Sequence, residues 1–428
     1  MHILMLGQKD IFTHERILYM ENKKFTKAEK SWILYDVANS AFIMILTATI
    51  PIYFRSLTEG AGISAEVSTS IWGTSTSIAL FILAVLSPVL GALADYESMK
   101  KKIFGGFLAL AIVSALLFTF VPNWIGFLCF FILARLGYAA CNILYDAMLV
   151  DVTTDERMDK ISSFGYAFGY IGSCIPFIVG IVLILVKPFG LSTILATRIS
   201  FLITILWWIL LSIPLLKNVK QTHFLKPKKN VVRHSFRRLM VTFAKLKRDR
   251  KILYYIIAYF FYIDGVYTII SMATTYGAEV GIDSTQMILA LLLTQLVAFP
   301  FAILSSSIAA KFGAVRVIKV LIIVYCGICI FGYGLDTAAE FWILAVAVGI
   351  CQGGIQALSR SQFGKMVPKK ESSEYFGFFD IFGKFADFFG PLMISFCALV
   401  FGSSKYGVLS LIVLFAIGLF FLCKSEKC

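Results

Sequence analysis

The chain has 428 residues, 59% of them hydrophobic and only 15% charged, with a mean hydropathy of +0.84. Soluble domains run at about 45–50% apolar, so this composition excludes a soluble globular protein and points to an all-α polytopic membrane protein. The formal net charge is +14. Its basic residues fall in the short stretches between apolar runs, which excludes a nucleic-acid surface as the reason for that charge and leaves membrane topology as the explanation.

Residues 1–31 are polar and basic and lack the long apolar core of a signal peptide. A start at Met20 is equally readable, with residues 1–19 as an extension. Twelve apolar segments follow, near 32–55, 66–94, 102–121, 124–150, 161–186, 194–216, 252–277, 284–310, 317–335, 341–366, 374–400 and 405–423. Each is long enough to cross a hydrocarbon layer of about 30 Å. Pro51, Pro88, Pro176, Pro214, Pro300 and Pro391 fall within or at the ends of these segments, where membrane helices tolerate them.

Of the 39 Lys and Arg residues, 33 lie with the termini and the even-numbered loops, counting Arg360 at its helix end, and only Arg55, Lys187, Arg198 and Lys405 lie opposite. This bias predicts that both termini are cytoplasmic. The longest loop, 217–251, carries 13 cations against the single acid Asp249. It divides the chain into a cytoplasmic segment 1–31, a six-helix bundle 32–216, the loop, a second six-helix bundle 252–423 and a tail 424–428. Within the loop, Phe236, Leu239, Met240, Phe243 and Leu246 recur at helical spacing among cations. That pattern suits an amphipathic helix on the anionic inner leaflet, and equally a topology signal joined to a linker.

Catalytic chemistry finds no foothold. The four His residues fall in predicted loops, and eight of the nine Cys lie in or beside apolar runs. The Cys326/Cys329 pair sits within VLIIVYCGICIFGYG and reads as packing rather than as a redox or metal site. There is no phosphate-binding G-x-x-x-x-G-K-(S/T) motif. No enzyme activity, cofactor or metal is expected. The partners expected are a small solute, protons and lipid, with the chain as a monomer.

Charges inside the apolar segments are costly and therefore informative. They are Asp36, Arg135, Asp146, Asp264, Arg360, Asp380, Lys384 and Asp387, on the first, fourth, seventh, tenth and eleventh segments. Asp264 lies near the membrane midplane with Tyr259, Tyr262 and Tyr267 around it, and suits proton carriage. Asp36, with Asn39 and Ser40 beside it, is a binding candidate or a charge favouring its helix N-terminus. Asp146 and Arg360, near the ends of two helices in different halves, either pair across the halves as a gate or pair locally. Asp380, Lys384 and Asp387 fall on one helix face and either meet solute or form an internal ion pair. Gln356, one turn before Arg360, and Arg135 complete the candidates for solute or proton binding. Asp95, with Lys100–Lys102 behind it, is a candidate conformational latch.

Two features suggest a repeat. The fifth and eleventh segments, SSFGYAFGYIGSCIP and SEYFGFFDIFGKFADFFGP, both open on Phe-Gly-aromatic and close on Pro. Gly91 and Asp95 match the G-x-x-x-D core of a motif between the second and third helices. Lys311, Gly313 and Arg316 echo it in the second half. On these residues the chain resembles the Major Facilitator Superfamily. SWILYDVANSAF, YFFYIDGVYTII and GGIQALSRSQFGKMVPKKESSEYFGFFDIFGKFADFFGP narrow the resemblance to its vacuolar effluxer-like branch, also called the unknown major facilitator family. The resemblance implies two six-helix bundles, alternating access and a cavity lined by helices 1, 4, 7 and 10. A fungal branch is implicated in exporting amino acids from the vacuole, which makes amino acids a candidate solute. The bacterial cytoplasmic membrane is the expected location, with the vacuolar membrane as the alternative.

Overall fold

The computed structural model describes residues 24–226 and 231–428; the side chains at 48, 231–234, 236, 237, 240, 284 and 384–388 lie outside the description. Twelve long helices run through it: α1 (Lys27–Gly60), α2 (Ala65–Ala94), α3 (Met99–Phe120), α4 (Trp124–Val152), α5 (Asp155–Val186), α6 (Thr193–Asn218), α7 (Arg250–Glu279), α8 (Ser284–Phe312), α9 (Ala314–Tyr333), α10 (Ala338–Met366), α11 (Ser372–Phe401) and α12 (Ser404–Lys427). Eleven of them are long and apolar enough by themselves to cross a membrane. The other is α11, 30 residues long, whose middle carries the charges noted above. The possible start at Met20 lies outside the described residues.

Local sequence explains the helix limits. Thr26 and Glu29 form a reciprocal capping box that opens α1, and Ser64, Asn123, Ser192, Asp249 and Thr337 cap later helices through their side chains. α1 breaks at Thr49, two residues before Pro51, which supplies no N–H to the preceding turn.

Each half has its own apolar core. Trp32, Phe42, Phe104, Phe127 and Trp208 anchor the first, and Tyr255, Tyr262, Ile318, Tyr325 and Phe415 the second. Val113, Phe120, Leu206, Leu210, Val320, Ile323, Val413 and Phe420 stand exposed on α3, α6, α9 and α12. An exposed apolar belt on these four helices is what lipid contact requires. The two halves meet mainly along α2 with α11 and α5 with α8 and α10. The α2–α11 and α5–α8 seams correspond under the sequence repeat. The α2–α11 seam is close enough that a Cβ on Gly91 would overlap the carbonyl of Ser373.

The loop helix Val231–Arg248 forms as expected, but it does not present all its apolar residues to lipid. Its Ser235, Thr242 and Leu246 are buried against the protein, and Arg238 points the same way, while Val241 and Phe243 are exposed. Leu246 therefore packs on protein rather than on the leaflet face. The side chains of Phe236, Arg237 and Met240 lie outside the described residues.

Candidate functional site: an arginine held by the opposite half

Arg360 stands six residues before the end of α10, and its guanidinium leaves its own half altogether. Nη1 donates to Asp146 Oδ1 on α4 at 2.9 Å, and Nη2 donates to Asp36 Oδ2 on α1 at 3.2 Å. Nε and Nη2 also donate to the hydroxyl and carbonyl oxygens of Ser162 on α5, at 2.9 and 3.1 Å. Three rings surround the cation, with centroids 4.3 Å (Tyr166), 4.6 Å (Trp32) and 5.4 Å (Tyr145) from it. All lie within the range in which a ring face attracts a cation. The side chain of Arg360 is 4% exposed, and that of Asp146 is 30% exposed.

The walls of this cage hold one another. Trp32 stacks on Tyr145 with centroids 4.4 Å apart and donates from Nε1 to its carbonyl at 2.9 Å. The Tyr145 hydroxyl donates to Asp36 Oδ2 at 2.8 Å. Room for the charge pair comes from Gly165, where a Cβ would stand 2.7 Å from Asp36 Oδ2 and 3.1 Å from Arg360 Nη2. Gly165→Ala is therefore expected to loosen the cage and lower the thermal midpoint of the purified chain, by an overpacking cost of about 1–3 kcal/mol. An unchanged midpoint would show that the cage has slack.

A second set of contacts lies nearer the face that carries the long loop, here called the basic face. Asp95 Oδ1 accepts from the Ser373 N–H at 2.8 Å and Oδ2 from the Glu374 N–H at 3.2 Å. The start of α11 has no side-chain cap of its own, so a carboxylate of the other half caps it. Arg238 of the loop helix donates to Asp95 Oδ2 at 3.0 Å and also to Glu374, and lies over the Tyr96 ring. Burial pushes the Asp95 carboxyl up to about 7, against the opposing pull of Lys100 and Arg238.

Of the candidate latch residues, Lys100 bonds elsewhere than to Asp95. Lys100 is buried and donates to Asp151 Oδ2 at 2.7 Å, to the Ala147 carbonyl at 3.2 Å and to Ser372 Oγ at 3.1 Å. Arg238 takes the place beside Asp95 because the loop helix packs on the end of α2. Further links across the halves are Lys365–Asp159 at 2.6 Å, Lys369–Asp155 at 2.5 Å and Ser162 Oγ to the Ala357 carbonyl at 2.7 Å.

The opposite face is different. There Arg198–Tyr53, Thr58–Ser68, Trp342–Gln286, Tyr276–Gly332 and Lys405–Asp336 each join elements of one half. Bonds across the halves at one face, and bonds within each half at the other, describe a molecule closed at its basic face.

Of the sequence candidates, Asp36, Asp146 and Arg360 thus come together, and Asn39 is buried one turn further along α1. Asp264 sits apart, fully buried in the second half, where its Oδ1 accepts from the Gly390 N–H at 3.0 Å and from Thr268 Oγ1 at 3.4 Å. Tyr267 is half-buried and within electrostatic reach of Tyr166 and Tyr170 of the other half. Arg135 and Gln356 are half-buried on α4 and α10. Asp380 accepts from Ser87 Oγ of α2 at 3.1 Å. The side chains of Lys384 and Asp387 lie outside the described residues. Sequence reasoning missed Trp32, Tyr145, Ser162 and Tyr166 as cage walls, and the Lys100–Asp151 and Arg238–Glu374 contacts. Among the described residues no cluster of three His, Cys, Asp or Glu side chains is placed to hold a metal.

Two six-helix halves, joined along paired seams and closed at one face, define an integral membrane transporter of the major facilitator fold. The chain belongs to the vacuole effluxer Atg22-like family, whose model matches residues 25–426. It is 44% identical over 403 residues to the MFS-type transporter YxiO of Bacillus subtilis (strain 168), covering 93% of this chain and 94% of that protein. It is 23% identical over 473 aligned positions to autophagy-related protein 22 of Vanderwaltozyma polyspora, covering 92% and 91%. Among solved structures, FucP in the outward conformation superposes with a TM-score of 0.70 at 14% identity, covering 93% of this chain and 97% of that one.

Proposed function

We propose that the protein is a proton-coupled secondary active transporter that moves a small polar solute, amino acids foremost, by alternating access of its two halves. The observation that carries this reading is the burial of Arg360 of the second half between Asp36 and Asp146 of the first. Such a contact is made only while the basic face is shut, so opening that face must break it. The cation bias of the loops supports a cytoplasmic basic face and cytoplasmic termini. The exposed Val241 and Phe243 next to Lys245 and Lys247 support contact of the loop helix with an anionic leaflet. Protons have a candidate carrier in Asp264, a carboxylate shut inside the second half, with Asp380 on the neighbouring helix as a further acid. A monomer suffices for this mechanism, because one chain supplies both halves.

Counterflow of a panel of labelled solutes into proteoliposomes, with and without an imposed pH gradient, tests the reading. Solute entry that ignores the gradient would remove the coupling. Asp264→Asn is expected to leave exchange of preloaded solute and to abolish accumulation driven by a pH gradient. Accumulation equal to the parent chain would take the proton away from Asp264.

A further inference from the structure

We propose that the cage now filled by Arg360 is an organic-cation site, which takes the guanidinium or primary ammonium group of a solute when the halves part at the basic face. The inference rests on the alternating-access reading and names the solute class of that mechanism.

The walls of the cage all belong to one half. Trp32 and Asp36 come from α1, Tyr145 and Asp146 from α4, and Ser162 and Tyr166 from α5. Only the cation comes from the other half. The Trp32–Tyr145 stack, the Trp32 Nε1 bond to the Tyr145 carbonyl and the Tyr145 bond to Asp36 do not involve Arg360. When Arg360 withdraws, these bonds leave a formed receptor with two carboxylates, a carbonyl oxygen and three ring faces.

That receptor is expensive to leave empty, because carboxylates shielded from water demand a partner. Three kinds of partner are available. A proton neutralises a carboxylate but makes no use of the rings. A small inorganic cation holds its water too firmly to exchange it for indole and phenol faces. A guanidinium or alkylammonium group is weakly hydrated, or carries an apolar stem, and satisfies rings and carboxylates together. Arg360 shows that a flat guanidinium fits, with four hydrogen bonds and three ring contacts in place. Asp146, the more exposed of the two acids, stands at the mouth and would meet an arriving cation first. The arginine thus acts as a tethered stand-in for the solute, and solute binding competes with closure of the basic face.

The experiment uses the full purified chain in detergent and the variant Arg360→Ala, with methylguanidinium as the probe and sodium chloride at equal ionic strength as the control. Thermal melting of the variant is expected to rise saturably with methylguanidinium and far less with sodium. The rise should vanish when Asp36→Asn and Asp146→Asn are added. Trp32→Phe should weaken the apparent affinity, and Tyr166→Leu should do so by roughly tenfold, the size expected for a lost cation–ring contact. Lys405→Ala, at an exposed pair on the opposite face, should change nothing. If Arg360→Ala does not fold, Arg360→Gln, which fills more of the space without a charge, is the second vehicle. Equal stabilisation by sodium, or stabilisation by acid alone, would overturn the proposal and leave the cage as a proton-filled gate. The outcome is separable from transport itself. Exchange by the parent chain with no methylguanidinium binding by the variant refutes the cation site alone, and binding by the variant with no solute exchange by the parent chain refutes transport alone.

Discussion

Arg360→Ala is expected to abolish solute exchange and to open the basic face. Truncating one partner of a buried ion pair costs about 3–5 kcal/mol, chiefly because the other charge is left unpaired. Here two carboxylates lose a shared cation, and the Ser162 oxygens lose a donor. The loss falls almost wholly on the closed state, since the contacts cross between the halves. A difference of that size shifts the ratio of closed to open molecules by roughly 10²- to 10³-fold or more. Spin labels at the exposed positions Glu156 and Lys370, one on each half at the basic face, read the shift directly as a longer distance. An unchanged distance distribution would show that the arginine does not hold the face shut. Restoring neutrality in the cage by adding Asp36→Asn should recover part of the closed population. The coupling energy from that cycle isolates the ion pair from the loss of side-chain volume. Arg360→Lys should recover less than its charge suggests, because a lysine amine cannot make the forked contacts to Asp36 and Asp146.

The reach of the sequence can be followed residue by residue along this gate. Asp36, Asp146 and Arg360 are visible because a charge within an apolar run is anomalous wherever it occurs, and hydropathy alone exposes it. Cross-half pairing of Asp146 with Arg360 follows as one of two options from their similar depth. What decides between the options is which helices touch, and no local pattern carries that information. The cage walls are illegible for a different reason. Trp32, Tyr145 and Tyr166 have the same apolar surroundings in sequence as any core aromatic, and only the three-dimensional position of the guanidinium distinguishes them. Lys100, Asp151, Arg238 and Glu374 sit at helix ends or in loops, where charges ordinarily meet water. Lys100 and Asp151 pair within the first half, with Thr222 and His223 of the loop closing over the acid, while Glu374 of the second half meets Arg238 beside Asp95, and none of these meetings is written in a single helix. One local signal does exist. The Lys369–Glu374 segment enters α11 without a side-chain cap, and an uncapped helix start at a close interface invites a carboxylate from elsewhere. The loop helix shows the converse case. Its amphipathic pattern is plain, yet the polar edge with Ser235, Arg238 and Thr242 turns toward protein because the polar target, Asp95 with Glu374, lies there.

Asp95→Asn is expected to flatten the pH dependence of closure. The Asp95 carboxyl is 1% exposed and lies among Lys100, Arg238, Glu374 and the Tyr96 ring. Burial dominates, so its affinity for the proton rises from an ordinary value of 3.8 to about 7 in the closed molecule. A carboxyl whose folded value is raised in this way contributes most below its unfolded value, and that contribution is lost as pH climbs through the folded one. The closed state should therefore be most stable in acid and weaken from about pH 4 to about pH 7, by up to roughly 4 kcal/mol for a shift of this size. The asparagine cannot ionise, so melting curves of the variant across the same window should lose that slope. Asparagine also offers one acceptor where the carboxylate offers two, and cannot serve both the Ser373 and Glu374 N–H groups. In acid the parent carboxyl is neutral and likewise offers one carbonyl acceptor, so parent and variant should melt alike there and diverge only as the carboxyl ionises. Arg238→Ala tests the same node from the other side. It removes the cation that opposes the effect of burial on Asp95, so the weakening of the closed state should continue to higher pH and be larger than in the parent chain. A parent chain with no slope between mild acid and mild base, or an Asp95→Asn chain that keeps it, would move the titration to another group.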